Sequence, residues 1–247
     1  MTLLIWTRSR KDWDRDRCAV ESCGHTVLHL PCLKLRDMSS QCPDDVDRFV
    51  IVTSSNSVFF IKQNPSWRQG IVRFKGILTF GKETARSLDG LHSHIQCLPV
   101  GTGQQFSQKI CQDYARRTRF LFVGAKYPAY DIVDHLKRSS FQIEKVSLYE
   151  TIIGVDLSVE EKKRFTDRYR NRGVICFASP SAVSGFLGLM KSGGSHQKSQ
   201  LHAVAIGPTT KALADAHFVT VDQAPEPKVS SLIRTAKRIL DDGMRAR

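Results

Sequence analysis

Val50-Ile-Val-Thr-Ser-Ser-Asn-Ser-Val58 is echoed by Ile175-Cys-Phe-Ala-Ser-Pro-Ser-Ala-Val183, 125 residues further along (50 to 175). Each copy opens with a short, largely apolar and β-branched run. Each then passes through hydroxyl or amide residues into a helix-forming stretch, as when a buried parallel strand hands over to a helix. A second junction follows in each copy at matching spacing, Leu78-Thr-Phe-Gly81-Lys-Glu-Thr84 and Val204-Ala-Ile-Gly207-Pro-Thr-Thr210. A looser third pairing sets Leu3 to Ser22 against Phe120 to Ser140, each a strand and helix followed by another strand. A repeat this long exceeds solenoid periods of roughly 20 to 50 residues and points to two similar α/β lobes.

Outside the repeat the same alternation continues. Strands are predicted at Leu3 to Trp6, Phe49 to Val52, Ile71 to Phe80, Phe120 to Val123, Gly173 to Phe177 and His202 to Ile206. Helices are predicted at Asp14 to Ser22, Ser55 to Gln63, Lys82 to Leu88, Gly103 to Arg116, Tyr130 to Ser139, Ser179 to Met190, Pro208 to Ala216 and Val229 to Asp241. Strands alternating with helices imply right-handed βαβ units and parallel sheets flanked by helices. Lys191-Ser-Gly-Gly-Ser-His-Gln-Lys-Ser199 and Arg36 to Asp45 read as exposed flexible loops.

Composition narrows the class. With 247 residues and 41% apolar content the chain can build a sizeable core. The apolar opening ends after Trp6, too short for a signal peptide, and no run of about 18 apolar residues follows, so neither secretion nor a membrane span is expected. Seven scattered cysteines, an odd number, read as reduced thiols in a cytoplasmic protein. Cys18 and Cys23 lie five apart, poor geometry for a shared metal, and no metal site is expected. Lys and Arg number 37 against 24 Asp and Glu, a net +13 that favours anionic partners. The denser clusters, Arg116-Arg117-x-Arg119 and Arg234 to Arg247, lack the interleaved aromatics of a single-strand nucleic-acid surface. No nucleic-acid partner is expected.

At the repeat junctions, Thr53-Ser54-Ser55-Asn56 and Ser179-Pro180-Ser181 have two readings. As N-cap types they complete helix starts; as helix N-termini on the ligand-binding edge of an open α/β sheet they also receive carboxylates. Gly81-x-x-Thr84 and Gly207-x-Thr209-Thr210 add two more such starts. Together they would suit a ligand with many carboxylates lying between the lobes. Gly101-Thr-Gly103-Gln-Gln-Phe106 lacks the third glycine of a dinucleotide fingerprint, and no Walker loop, nucleophile elbow or His-Glu-x-x-His occurs. His92 and His94 have no carboxylate or cysteine partner in sequence and read as surface residues.

Five segments in order, Val52-Thr-Ser-Ser-Asn-Ser-Val58, Gly81-Lys-Glu-Thr-Ala85, Leu148-Tyr-Glu-Thr151, Phe177-Ala-Ser-Pro-Ser-Ala-Val183 and Ala205-Ile-Gly-Pro-Thr-Thr210, resemble the motifs of uroporphyrinogen-III synthases. The resemblance runs from Trp6-Thr-Arg8 to Val229-Ser-Ser-Leu-Ile233. It implies two α/β lobes joined by a two-stranded antiparallel connector, with the chain crossing early. One lobe would hold 1–34 plus 154–247 and the other 35–153, with connectors near 32–36 and 148–153. Sequence alone allows an uncrossed arrangement as well.

The resemblance further implies the reaction. Hydroxymethylbilane loses its hydroxyl, the azafulvene is attacked at the substituted carbon of ring D, and a spiro intermediate rearranges to uroporphyrinogen III. No cofactor is implied, because the reactive substrate needs mainly to be held in the productive conformation. The positions matching the family's cleft are Thr7, Arg8, Ser54, Ser55, Asn56, Gly81, Thr84, Lys126, Ser179, Pro180, Ser181, Gly207, Thr209 and Thr210. Tyr149 is the candidate acid, with packing as its alternative role. Lys126 stands where an arginine-glycine is common and could still meet a carboxylate as a point charge. Ser9, Phe80 and Ser140 also depart from the family pattern. A cytoplasmic monomer with transient contact to hydroxymethylbilane synthase is expected. The rival is a non-catalytic, two-lobed relative that binds a tetrapyrrole or another polyanion.

Overall fold

The computed structural model describes residues 3–155, 157–161, 163, 165, 173–191 and 199–245. The N-terminal segment forms β1 (Leu3–Trp6), α1 (Arg10–Glu21) and β2 (Thr26–His29). The middle forms β3 (Leu33–Asp37), β4 (Phe49–Ile51), α2 (Ser55–Gln63), α3 (Pro65–Gly70), β5 (Gly76–Phe80), α4 (Lys82–Leu88), β6 (Ile95–Leu98), α5 (Gly103–Asp113), β7 (Arg119–Ala125), α6 (Ile132–Arg138) and β8 (Gln142–Ile153). Then come β9 (Val174–Phe177), α7 (Pro180–Lys191), β10 (Ser199–Ala205), α8 (Pro208–Asp215), β11 (Phe218–Gln223) and α9 (Val229–Arg245). The interior of the loop expected at Lys191 to Ser199 lies outside the described residues.

The chain divides into two compact units, Met1–Lys34 with Ile152–Arg247, and Leu35–Thr151. The first holds a sheet ordered β11-β10-β9-β1-β2, its pairs parallel. The second sheet is ordered β3-β8-β7-β4-β5-β6, parallel from β8 onward. Aligning β9, β10 and β11 with β4, β5 and β6, and β1 and β2 with β7 and β8, makes the two orders identical. All three sequence pairings, including the looser one of Leu3 with Phe120, therefore join topologically equivalent elements. Strands β3 and β8 run antiparallel, since Gly154 N–H donates to Cys32 O while Met38 N–H donates to Leu148 O, the order of one strand reversed on the other.

Alternation along the central strands feeds two apolar layers in each unit. Leu3 and Ile5 pack with Val183 and Phe186 of α7 and Ala214 of α8; Leu4 and Trp6 pack with Val20 of α1 and Leu232 and Ala236 of α9. In the second unit Val50 and Leu121 face α2, α3 and α4, while Ile51 and Phe122 face α5 and α6. Each such fully buried aliphatic or aromatic side chain contributes about 1.5–3 kcal/mol relative to exposure. Gly185 lets α7 pass against the connector, where any Cβ would run into the Cys32 carbonyl.

Several predicted bounds shift. Ile71 to Lys75 is not strand: Ile71–Arg73 is a 3-10 turn, with Ile71 and Phe74 buried three apart and Val72 facing out. The helix expected from Asp14 begins at Arg10, because Ser9 caps it and shares a hydrogen bond with the Asp12 carboxylate. The helix expected to reach Arg116 stops at Asp113, where Tyr114 turns extended and packs edge-on against Phe49 and Phe120. Of the loop expected at Arg36 to Asp45, Arg36 and Asp37 belong to β3. Ser140 takes the left-handed conformation, φ 65°, that a glycine would hold without strain.

Candidate functional site

In each sheet the strand order reverses once. From β4 the chain builds outward through β5 and β6, then returns to place β7 and β8 on the other side. The loops after β4 and β7 diverge there, which is where open α/β sheets bind ligands. The equivalent point in the first unit lies between β9 and β1.

At the second unit's switch point, Ser54 caps α2, its oxygen accepting from Ser57 N–H at 3.1 Å. Ser54 Oγ is also 2.9 Å from Ser57 Oγ and 3.2 Å from the Tyr149 hydroxyl. Tyr149 is only 5% exposed, and its ring stacks on Phe60 at 5.0 Å. Ser55 opens α2 and Asn56 follows, both half-buried. Gly124 of β7 leaves room for this turn: a Cβ there would stand 3.0 Å from Ser57 Oγ.

After β7, Lys126 N–H donates to Tyr149 O at 2.8 Å, and its ammonium lies 3.3 Å from Glu150. Glu150 also pairs with Arg36. The Arg36 hydrogen bond, then Lys126, hold the Glu150 carboxyl below its ordinary range, and Lys126 is correspondingly pushed up by Tyr127 and Glu150. The point charge expected of Lys126 is therefore partly met inside its own unit. Gly81 precedes α4 with φ 84°, a conformation suited to glycine, and Thr84 is buried one turn on. With seven residues, α4 offers orphan amides and little dipole.

In the first unit, Ser179 Oγ accepts from Ala182 N–H at 3.2 Å at the start of α7, with Pro180 and Ser181 in its first turn. Thr7 is fully buried, and its hydroxyl donates to Cys176 O at 2.6 Å, tying β1 to β9 across the switch point. That proton is committed to the fold. Arg8, 18% exposed, is held by Asp16 at 2.8 Å and Asp12 at 3.1 Å, which temper its pull on an anion. His29 Nε2 lies 2.8 Å from Arg8 O, and Trp13 stacks on the imidazole, so this ring supports the loop after β1. Gly207 before α8 is extended, φ −167°, unlike Gly81; Thr210 is buried and Thr209 exposed.

The structure thus gathers Ser54, Ser55, Asn56, Tyr149 and Lys126 about one switch point, and Thr7, Arg8, Ser179, Pro180 and Ser181 about the other. Gly81 with Thr84, and Gly207 with Thr209 and Thr210, stand after the neighbouring strands on the same edge of their own sheets. Sequence reasoning gives no site role to Ser9, Asp12, Asp16, Ser57, Arg36 and Glu150. The Ser9-x-x-Asp12 spacing is a helix-start signal that could find the first two; Arg36 and Glu150 meet only through the β3–β8 pairing. His92 is bonded to Phe74 O and His94 N–H to His92, as turn residues. Among the described residues no group of three or more His, Cys, Asp or Glu could hold a metal, and no helix is long and apolar enough to cross a membrane.

Two copies of one doubly wound sheet, each with hydroxyl side chains at its switch point, define an α/β protein of two matching units. Residues 14–234 match the family described as uroporphyrinogen-III synthase HemD, and the chain belongs to that family. No curated protein sequence matches significantly. The fold is similar to the crystal structure of uroporphyrinogen-III synthetase from Helicobacter pylori, at 15% identity over 97% of this chain and 100% of that one, TM-score 0.67. A mutant uroporphyrinogen III synthase from the extremely thermophilic bacterium Thermus thermophilus matches at 15% identity over 98% and 100%, TM-score 0.56.

Proposed function

We propose that the loops on the carboxyl edges of both sheets bind the acetate and propionate groups of hydroxymethylbilane while it closes to uroporphyrinogen III. The observation that carries this reading is the duplicated switch point: one turn chemistry, Ser54 with its cap on Ser57 and Ser179 with its cap on Ala182, stands at the reversal of both sheets. In a member of this family, a duplicated set of anion-receptive turns matches a substrate whose eight carboxylates are spread over four rings.

On this reading the chain is a cyclising hydro-lyase. A proton reaches the departing hydroxyl, the C–O bond breaks and water leaves. The azafulvene carbon is then attacked by the substituted carbon of ring D, and the spiro intermediate rearranges with loss of a proton to give the inverted ring. On this proposal Tyr149 supplies the first proton, a role supported by its hydroxyl lying 3.2 Å from Ser54 Oγ at the switch point. Holding the linear chain in one conformation supplies most of the remaining effect. Because the free substrate cyclises unaided to the other isomer, a cytoplasmic monomer in transient contact with the enzyme that makes it completes the proposal.

Anaerobic hydrogen exchange with uroporphyrinogen III tests the site. Amides at 53–57, 81–84, 179–182 and 207–210 should exchange more slowly with ligand. Protection confined to the opposite edge, around Arg48, Lys75 and Arg119, would overturn it.

A further inference from the structure

Tyr127 is 71% exposed. Exposure alone would carry nothing, since single surface aromatics are ordinary. What sets this residue apart is where it stands and how firmly the residue before it is held. It lies two residues past Ala125, whose strand partner is Tyr149, on the loop that leaves the second unit's switch point. The peptide before it is fixed on both sides: Lys126 N–H donates to Tyr149 O at 2.8 Å, and Lys126 O accepts from Lys145 Nζ at 2.6 Å. Pro128 follows and confines the Tyr127 backbone to extended conformations. The Lys126 ammonium, anchored by Glu150, stands 5.1 Å from the ring centroid. The ammonium also hydrogen-bonds the Tyr127 hydroxyl, so it stands towards that end of the phenol while the ring remains largely open to solvent.

We infer that Tyr127 is a ring platform, taking a pyrrole of the linear tetrapyrrole against its open face while the Lys126 ammonium meets that ring's acetate or propionate. The inference rests on the proposed function, since it needs an electron-rich, carboxylate-bearing ring as ligand. Aromatic pairs prefer offset stacking, and a platform fixed before binding loses little freedom when the ring arrives. The ring chemistry also explains why lysine suffices beside it: a point charge can follow a flexible carboxylate arm that no bidentate fork needs to fix. Glu150 sets the ammonium's position from the connector strand.

The test is steady-state kinetics with hydroxymethylbilane generated in situ, on wild type, Tyr127→Ala and Tyr127→Phe, with thermal midpoints alongside. Tyr127→Ala should raise KM about three- to ten-fold, the size of a lost aromatic pair, with kcat within about twofold. Tyr127→Phe, which keeps the ring and loses only the hydroxyl's bond to Lys126, should hold KM within about twofold of wild type, and neither midpoint should fall by more than about 4 °C, because the ring packs into no core. An unchanged KM in Tyr127→Ala, or an equal loss in Tyr127→Phe, overturns the platform while leaving the activity standing. Wild-type protein that forms no type III isomer would instead overturn the proposed function, and the platform with it.

Discussion

Removing one oxygen separates the two roles open to Tyr149. In Tyr149→Phe the ring keeps its stack on Phe60, and the hydroxyl's bond to Ser54 is lost. At 3.2 Å that bond is long for a hydroxyl pair, so it falls in the lower half of the usual range, about 0.5–1 kcal/mol. For a chain of this size that lowers the thermal midpoint by about 1–4 °C. Ser54 still caps α2 through Ser57 N–H, so the helix start survives. If the hydroxyl protonates the leaving group, kcat should fall about a hundredfold or more, the ordinary worth of a positioned acid. The assay pairs a thermal melt with single-turnover formation of uroporphyrinogen III. A variant with kcat within about threefold of wild type would refute the acid role and return Tyr149 to packing.

Two glycines three residues apart on α7 should respond in opposite directions. Gly185→Ala drives a Cβ into the Cys32 carbonyl and should lower the unfolding free energy measured in urea by about 1–3 kcal/mol or more, whereas Gly188→Ala meets nothing within 4 Å and should raise it by about 0.5–1 kcal/mol. Lys11 gives a pH signature: burial, opposed by Asp12 and reinforced by Arg15 and Arg8, pushes its pKa down to about 8. Between about pH 8 and the ordinary lysine value the unfolded chain binds more protons, so this contribution turns more favourable as pH rises and is fully unfavourable below about pH 8. Urea midpoints of Lys11→Met and wild type should therefore differ most at about pH 7 and converge only above the ordinary value of 10.5; a constant gap would contradict the assignment.

What can be read from sequence follows from which strands are buried on both faces. Strands β1 and β9 are buried at every residue, and β5 and β7 nearly so, giving the continuous apolar runs that mark them in the sequence. The outer strands β2, β3, β6 and β11 alternate or face solvent, and their exposed positions, such as Gln96 and Val219, dilute the signal. Ser55–Gln63 and Lys82–Leu88 are legible to the residue because a cap and a glycine announce their starts. The hydroxyls of Ser54 and Ser179 are legible as junction residues. Their partners are not: the Tyr149 contact spans 95 residues and the Thr7 bond to Cys176 spans 169, and no local pattern encodes either. Nor can composition show that Arg8 is already shared by Asp12 and Asp16. The three meet around a helix start whose first residues, Arg10-Lys11-Asp12, are all charged and carry no apolar periodicity.

The central claim, that this member of the family directs ring closure through its duplicated switch points, is tested most directly by product isomers. Hydroxymethylbilane is generated in situ by its own synthase, this protein is added, and the oxidised porphyrins are separated by chromatography. Predominantly isomer III is expected, with the yield falling when Ser54 and Ser179 are both replaced by bulky residues that keep the protein folded. Isomer I alone from folded wild-type protein would contradict the account and leave a two-lobed binder of tetrapyrroles or other polyanions in its place.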